Sequence, residues 1–333
     1  MRISNSFGKT LRENSTEAEL TSHKLMLKAG FIHQISSGIY SYLPMAWKSL
    51  RNIERIIRTE IDNVDGQEIR MPVLQPRELW EKSERADIFG SNLFSLQDRR
   101  ERHMVMAPTH EEILTTIVKA NVFSYKDLPL VIYQIQTKFR DEERPRGGLI
   151  RTREFDMKDA YSFHSDEESL DVSYKSMIKA YNNIYERCGL STIMVEADSG
   201  AIGGKDSHEF MALSESGEDS ILICNKCKYA ANVEKAQFRK KSQEIEILQE
   251  IDETHTPEVK TIESLAKYLR IPTSQTLKTI CYKYQNDLIL VTIRGDLEVN
   301  EVKLTNILGG AEIRLATPTE IQASGLVEGY ISP

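Results

Sequence analysis

Residues 130–155 constrain this chain more tightly than any other stretch. LVIYQIQTKFR (130–140) alternates with a period of two, placing Val131, Tyr133, Ile135 and Phe139 on one side and Gln134, Gln136, Lys138 and Arg140 on the other. Such alternation specifies a strand with one apolar and one polar face. It runs straight into FRDEERPRGGLIRTREF (139–155), which holds five arginines, four acidic residues and no lysine around a Pro-Gly-Gly turn. Together they read as an antiparallel hairpin with a long tip, made mobile by Pro145 and Gly147-Gly148.

The use of arginine alone carries chemistry. Guanidinium is a planar fork that meets phosphate or carboxylate bidentately, which an ammonium cannot do. Asp141, Glu142, Glu143 and Glu154 can hold those forks in place before a ligand arrives, and Phe155 offers a flat surface to a purine. A solvated hairpin laced with surface salt bridges, each worth about 0–1 kcal/mol, fits the same composition. The formal net charge of −7 excludes bulk adhesion to nucleic acid or anionic membrane. Any nucleic-acid contact must then come from a local patch.

Elsewhere, Trp47, Leu50, Ile53, Ile57 and Ile61 form one apolar stripe on a helix. Asp65-Gly66 ends it, and Glu68–Leu74 alternates as a strand around Ile69, Met71 and Val73. Pro72 lacks an N–H, so that strand lies at an edge or ends its ladder there. Thr109 and Glu112 make a T-x-x-E capping box, Ser165 and Glu168 a second, and Gly189 stops the helix that follows. Past residue 223 the sequence becomes polar and charge-rich as far as Pro257, which marks a boundary and linker. VKTIESLAKYLRIP then reads as a helix, and TLKTICYKYQNDLILVTIRGD as two strands, LILVTI (288–293) being a buried one. The organisation is therefore one domain at 1–223 and a second, small α+β one within 224–333, both within the reach of 333 residues.

The N-terminus has no apolar signal region and no run approaches membrane-spanning length, so a cytoplasmic protein with four reduced cysteines is expected. Cys224 and Cys227 form a lone C-x-x-C without a second pair, and no metal site is assigned to it. The glycines of GGKDSHEF (203–210) do not have P-loop spacing.

The pattern FRDE…RPR…R-x-REF closely resembles motif 2 of class II aminoacyl-tRNA synthetases. HKLMLKAGFIHQISSGIYSYLPMAWKSLRNIE, APTHEE, YQIQTKFRDE, EFDMKDAYSFH and IGGKDSHEF resemble, in that order, blocks of the bacterial-type prolyl branch across nearly all of the chain. The resemblance implies an α+β fold: a class II antiparallel sheet flanked by helices, then a partial α+β editing (insertion) domain. It implies ATP-dependent activation of L-proline to prolyl-adenylate with Mg²⁺, transfer to tRNA(Pro), and editing of mischarged alanyl-tRNA(Pro). A pocket sized for proline rejects alanine weakly, which is the reason for a second sieve. Threonyl and seryl enzymes share the fold, and a catalytically inactive synthetase-derived binding or regulatory paralogue is the alternative.

Residue by residue, the resemblance assigns Arg140 to the α-phosphate of ATP and the carboxylate of proline. Glu142 lies beside it as the second catalytic candidate, reading adenine or holding the loop, while Arg151 reaches the outer phosphates and Phe155 stacks on adenine. Thr109 and Glu111 match the proline-binding pair; simple helix capping explains the same residues locally. His208 and Glu209 are further site candidates, Lys278 in TLKTI is the editing lysine, and the segment around Pro72 is the homodimer element. By this resemblance the given sequence is expected to stop, at GYISP, inside the editing domain and short of motif 3 and the anticodon-binding domain. The 333 residues alone are therefore expected to lack full activity. Robust proline-dependent ATP–pyrophosphate exchange by this chain would overturn that expectation.

Overall fold

The computed structural model describes residues 5, 7–13, 18–199, 206–237, 250, 252–285, 287–309 and 313–331. They form two compact units: Met1–Ile193 with Phe210–Gly217, and Met194–Glu209 with Glu218–Pro333. The fold is α+β, as expected.

In the first unit the order is α1 (Thr21–Lys28), β1 (Ile32–Ser36), β2 (Ile39–Tyr42), α2 (Pro44–Asp62), β3 (Gly66–Glu68), β4 (Leu74–Pro76), α3 (Arg77–Lys82), α4 (Arg85–Phe89), β5 (Ser95–Gln97), β6 (His103–Met106), α5 (Glu111–Asn121), β7 (Leu130–Phe139), β8 (Glu154–Phe163) and α6 (Glu167–Arg187). The hairpin is its backbone. β7 and β8 pair in unbroken register from Leu130↔Phe163 to Phe139↔Glu154. β3 adds parallel to the other edge of β7, giving the order β3-β7-β8. β7 is thus a central strand, and six of its ten residues, Val131–Gln134, Gln136 and Lys138, are buried.

Helix α2 starts on Pro44 at its first turn, where a missing N–H costs nothing. Its apolar stripe divides. Ile57 and Ile61 pack with Tyr133, Ala180 and Ile184, whereas Trp47 and Ile53 stay 47% and 42% exposed. The Tyr133 hydroxyl donates to Asp62 Oδ1 at 2.6 Å, pinning the end of α2 to the sheet. Two further clusters complete the unit, one of Met71, Ile113, Leu114 and Ile132, the other of Trp80, Ala86, Leu93 and Val105.

Three local expectations are corrected. Glu68–Leu74 is not one strand: β3 ends at Glu68 and β4 begins at Leu74. Between them side chains replace the ladder, Gln134 Oε1 accepting from the Met71 N–H (3.1 Å) and Gln136 Nε2 donating to the Met71 carbonyl (3.1 Å). Thr109 caps no helix, since the N-cap of α5 is His110 and Glu112 turns to Arg85 instead. The cap of α6 is Asp166, one residue after Ser165, accepting from the Ser169 N–H.

The hairpin tip is packed, not loose. Arg146 and Arg151 exchange backbone hydrogen bonds of 3.1 and 3.2 Å across the turn. Gly148 is buried against the His23 ring, and Gly38 at the β1–β2 turn meets Pro145.

β9 (Ile193–Glu196), β10 (His208–Met211), β11 (Ile221–Ile223) and β12 (Ala230–Asn232), which fall mostly in the second unit, form a sheet of order β10-β9-β12-β11. It is followed by α7 (Ile262–Leu269), β13 (Leu277–Tyr284), β14 (Asp287–Arg294), α8 (Glu301–Ile307), β15 (Ile313–Leu315) and α9 (Pro318–Ala323). Thr261 caps α7 through a box with Ser264. β13 lies between β14 and β15, so the apolar run 288–293 is a half-buried edge strand and not a fully buried one. The linker reading falls mostly on 238–249, outside the described residues. Among the described residues no helix is long and apolar enough to cross a membrane.

Gly38 tests the packing of the tip. It has φ +74°, and a Cβ there would lie 2.7 Å from Pro145 Cβ. Gly38→Ala is expected to cost about 1–3 kcal/mol, through left-handed backbone strain and overpacking. Chemical denaturation of the two proteins measures the difference.

Candidate active site

The polar face of β7 is the floor of the site, and it is buried. Gln134 and Lys138 have no exposure and Gln136 has 7%. A buried ammonium needs partners. Lys138 Nζ lies 2.7 Å from Asp159 Oδ1 on β8 and 2.8 Å from His110 Nδ1. His110 Nε2 lies 3.1 Å from the Pro72 carbonyl. One proton arrangement satisfies all three contacts: Lys138 donates to Nδ1 and Asp159, and Nε2–H donates to Pro72. Burial first, and the Lys138 charge second, hold the imidazole down at about 4. Burial also lowers Lys138, with Asp159 acting against it. Asp159 Oδ2 accepts from Gln134 Nε2 (3.0 Å) and the Tyr161 hydroxyl (2.8 Å). The Tyr161 hydroxyl is pushed well above its ordinary range, by burial and then by Glu111 and Asp159.

At the start of α5, Thr109 and Glu111 flank His110. Arg85 from α4 brings them together. Its Nη1 donates to Glu111 Oε2 (3.0 Å) and Glu112 Oε1 (2.9 Å), and its Nη2 to Thr109 Oγ1 (3.3 Å). The Glu112 side chain is 4% exposed and also accepts from the Ser83 hydroxyl, whereas Glu111 is 36% exposed. Arg85 lies 5.4 Å from the ring centres of both Trp80 and Phe89. Trp80 Nε1 donates to Gln75 Oε1 at 2.8 Å, and Gln75 Nε2 to the Thr109 carbonyl at 3.4 Å.

Arg140 follows directly on β7. Its guanidinium lies 5.3 Å from the Phe155 ring centre, and its Nε is buried without a hydrogen-bond partner among the described residues. Burial draws its pKa down, while Glu142 and then Glu111 oppose this. A forked cation that is stacked, half-buried and unsatisfied at one nitrogen is prepared for an anion. Glu142 is bent back beside it, its N–H donating to the Arg140 carbonyl at 2.8 Å. Arg153 holds that bend: its Nε donates to the Glu142 carbonyl (3.2 Å) and its N–H to Gly38 (2.9 Å). Arg151 lies at the exposed tip, bridged to Arg146.

The remaining candidates lie in the second unit. Lys278 on β13 pairs with Glu298 at 2.6 Å. It lines a cavity of about 260 Å³ together with Thr256, Lys260, Thr261, Thr279 and Tyr330. His208 and Glu209 open β10, and burial pushes the Glu209 carboxyl up, helped by Asp219 and Glu234. Gly203, Gly204 and Lys205 lie outside the described residues.

Sequence reasoning missed Arg85, His110, Asp159 and Glu298, and gave Lys138 no role beyond its face. Alternation put Gln134, Gln136 and Lys138 on one face of β7, but did not show the cover that buries them. KSERADIF carries no comparable signal for Arg85, whose partners lie 24–27 residues away.

Residues 94–279 match the tRNA synthetase class II core domain (G, H, P, S and T), and the chain belongs to that family. Residues 256–333 match the aminoacyl-tRNA editing domain. The chain is 51% identical over 333 residues to the proline–tRNA ligase of Dehalococcoides mccartyi, covering all of this chain and 58% of that protein. Against the proline–tRNA ligase of Fusobacterium nucleatum it is 51% identical over 335 residues, covering all of this chain and 59% of the relative. It thus spans well under two thirds of the length of these relatives. Among solved structures, the prolyl-tRNA synthetase of Cryptosporidium parvum, crystallised with L-proline and AMP, shares the fold at TM-score 0.51 and 20% identity. That match covers 56% of this chain and 38% of the other.

The buried imidazole gives a pH signature. Folded His110 stays neutral down to about 4, whereas an unfolded histidine protonates near 6.5, so the unfolded state binds more protons in between. The stability owed to the neutral ring is complete above about 6.5 and is lost as pH falls towards about 4. Unfolding free energies measured across that window should fall with acidification, and His110→Gln should flatten the slope. An unchanged slope would refute the assignment.

Proposed function

We propose that this chain carries the amino-acid-activating part of a proline–tRNA ligase at 1–223 and the start of its editing domain at 224–333. The carrying observation is the separation of charge at one end of β7. The Thr109–Glu111 pair offers a hydroxyl and a partly open carboxylate, while Arg140 offers a stacked guanidinium with a buried unsatisfied Nε. An amino acid has the complementary arrangement of ammonium and carboxylate, and its secondary ammonium gains charge-assisted hydrogen bonds from Glu111 and Thr109.

In this reading Arg140 binds the proline carboxylate and the α-phosphate of ATP, Glu142 and Phe155 hold adenine, and Arg151 takes the outer phosphates. A carboxylate oxygen of proline attacks the α-phosphorus, forming prolyl-adenylate as the bond to pyrophosphate breaks. The prolyl group then passes to the 3′ end of tRNA(Pro). The protein supplies position and fixed positive charge, and little proton transfer is asked of it. Mg²⁺ would accompany the nucleotide and neutralise its phosphates.

Lys278, lining its own cavity and paired with Glu298, is the group proposed to act on alanyl-tRNA(Pro). The exposed Trp47 and Ile53 on α2, with the neighbouring Pro72 segment, are the proposed homodimer face, and the cytoplasm is the proposed location. Isothermal titration of the chain with a non-hydrolysable prolyl-adenylate analogue tests the central reading. Binding is expected, and Arg140→Ala should weaken it about thirtyfold or more, because truncating one member of a buried charge pair costs about 2 kcal/mol or more. No binding by the unaltered chain would overturn the reading.

A further inference from the structure

Arg85 stands outside the roles just described, yet it touches both members of the proposed proline pair. Around the start of α5, the described charges are those of Arg85, Glu111, Glu112, Lys138, Asp159, Arg140 and Glu142, with His110 neutral. One negative charge is left over. Glu112 is buried and shared between Arg85 and Ser83, so it cannot be the open charge. Glu111 gives one oxygen to Arg85 and keeps a carboxylate 36% exposed.

We propose that Arg85 is the positioning residue of the amino-acid site, an inference that rests on the proline-activating reading. By absorbing the charge of Glu112 and clamping Glu111 and Thr109 with one fork, it leaves a single, fixed negative charge matched to one secondary ammonium. The fork is itself rigid. It lies against Trp80 and Phe89, which pack edge-to-face with ring centres 5.4 Å apart. The short α4 that carries it begins after Glu84 (φ 59°) and ends at Gly90 (φ 48°), so it can be neither extended nor slid by simple continuation of the helix. Lysine could supply the charge but not three simultaneous contacts from two nitrogens.

The chain, titrated separately with L-proline and with ATP, tests this. Arg85→Ala should weaken proline binding about tenfold or more, since a hydrogen bond to a charged group is lost and Glu112 is left uncompensated. ATP affinity should stay within about twofold, and added guanidinium chloride at low millimolar concentration should restore part of the proline affinity by occupying the place beside Trp80 and Phe89 that the side chain vacates. Arg85→Lys should fall between the two proteins. Thermal midpoints of both variants identify gross unfolding, and the lysine variant carries the test if the alanine variant does not fold. Proline affinity within about threefold of the unaltered chain in both variants would overturn the proposal. So would a parallel loss of ATP and proline binding without guanidinium rescue, which is the mark of a merely structural arginine. If the unaltered chain binds ATP but no proline, the proline-activating reading itself fails and takes this proposal with it.

Discussion

A lysine ammonium with no exposure to solvent is the constraint around which the first unit is arranged. Taking Lys138 out of water is costly unless its hydrogens are met, and Asp159 and His110 meet them from two different elements. The demand propagates. His110 can accept at Nδ1 only if its other nitrogen finds an acceptor, and the Pro72 carbonyl supplies it. Asp159 in turn requires Gln134 and Tyr161. Four separate pieces of chain, β7, β8, the start of α5 and the irregular segment before β4, are thereby held in one register. Removing any one partner would strand a buried charge, so the parts stand or fall together.

The groups proposed to bind proline and ATP hang on the rim of that network. Thr109 and Glu111 are the residues on either side of His110, and Arg140 lies two residues beyond Lys138. Their relative positions are therefore set by buried hydrogen bonds, not by surface ion pairs that solvent would weaken. This suits a reaction limited by bringing two anions, a carboxylate and a phosphate, into contact. Permanent cations in fixed places do that work at any physiological pH. The nearby histidine, held neutral by burial and by Lys138, is unsuited to donate charge there and acts as a strut instead.

The hairpin, the α2 helix and the two strands of 277–294 were legible in the sequence because each is a local periodic pattern. The buried character of β7's polar face was not. Alternation shows two faces but not which one is covered, and Gln134, Gln136 and Lys138 look solvent-facing until Pro72 and α5 are laid over them. The strand expected at Glu68–Leu74 failed for the same reason: Met71 exchanges its backbone bonds with glutamine side chains more than sixty residues away. Thr109 and Glu112 spelled a capping box, yet a distant guanidinium outcompeted the local N–H donors for both. Long-range partners are invisible to spacing, so Arg85 left no trace, while Arg140 was found through its motif.

Four of the five arginines of the hairpin also separate into physical classes that composition could not distinguish. Arg153 is spent on architecture, bonding the Glu142 carbonyl and tying the strand to Gly38. Arg146 and Arg151 close the turn through their backbones, which leaves the direction of the tip fixed by main-chain bonds and by Gly148 on His23. Only Arg140 combines aromatic stacking, partial burial and an unsatisfied nitrogen. Burying an unsatisfied donor costs free energy that an anion would recover, and this is what supports assigning the proposed carboxylate and phosphate to Arg140. Its neighbours hold the loop so that this one fork need not move.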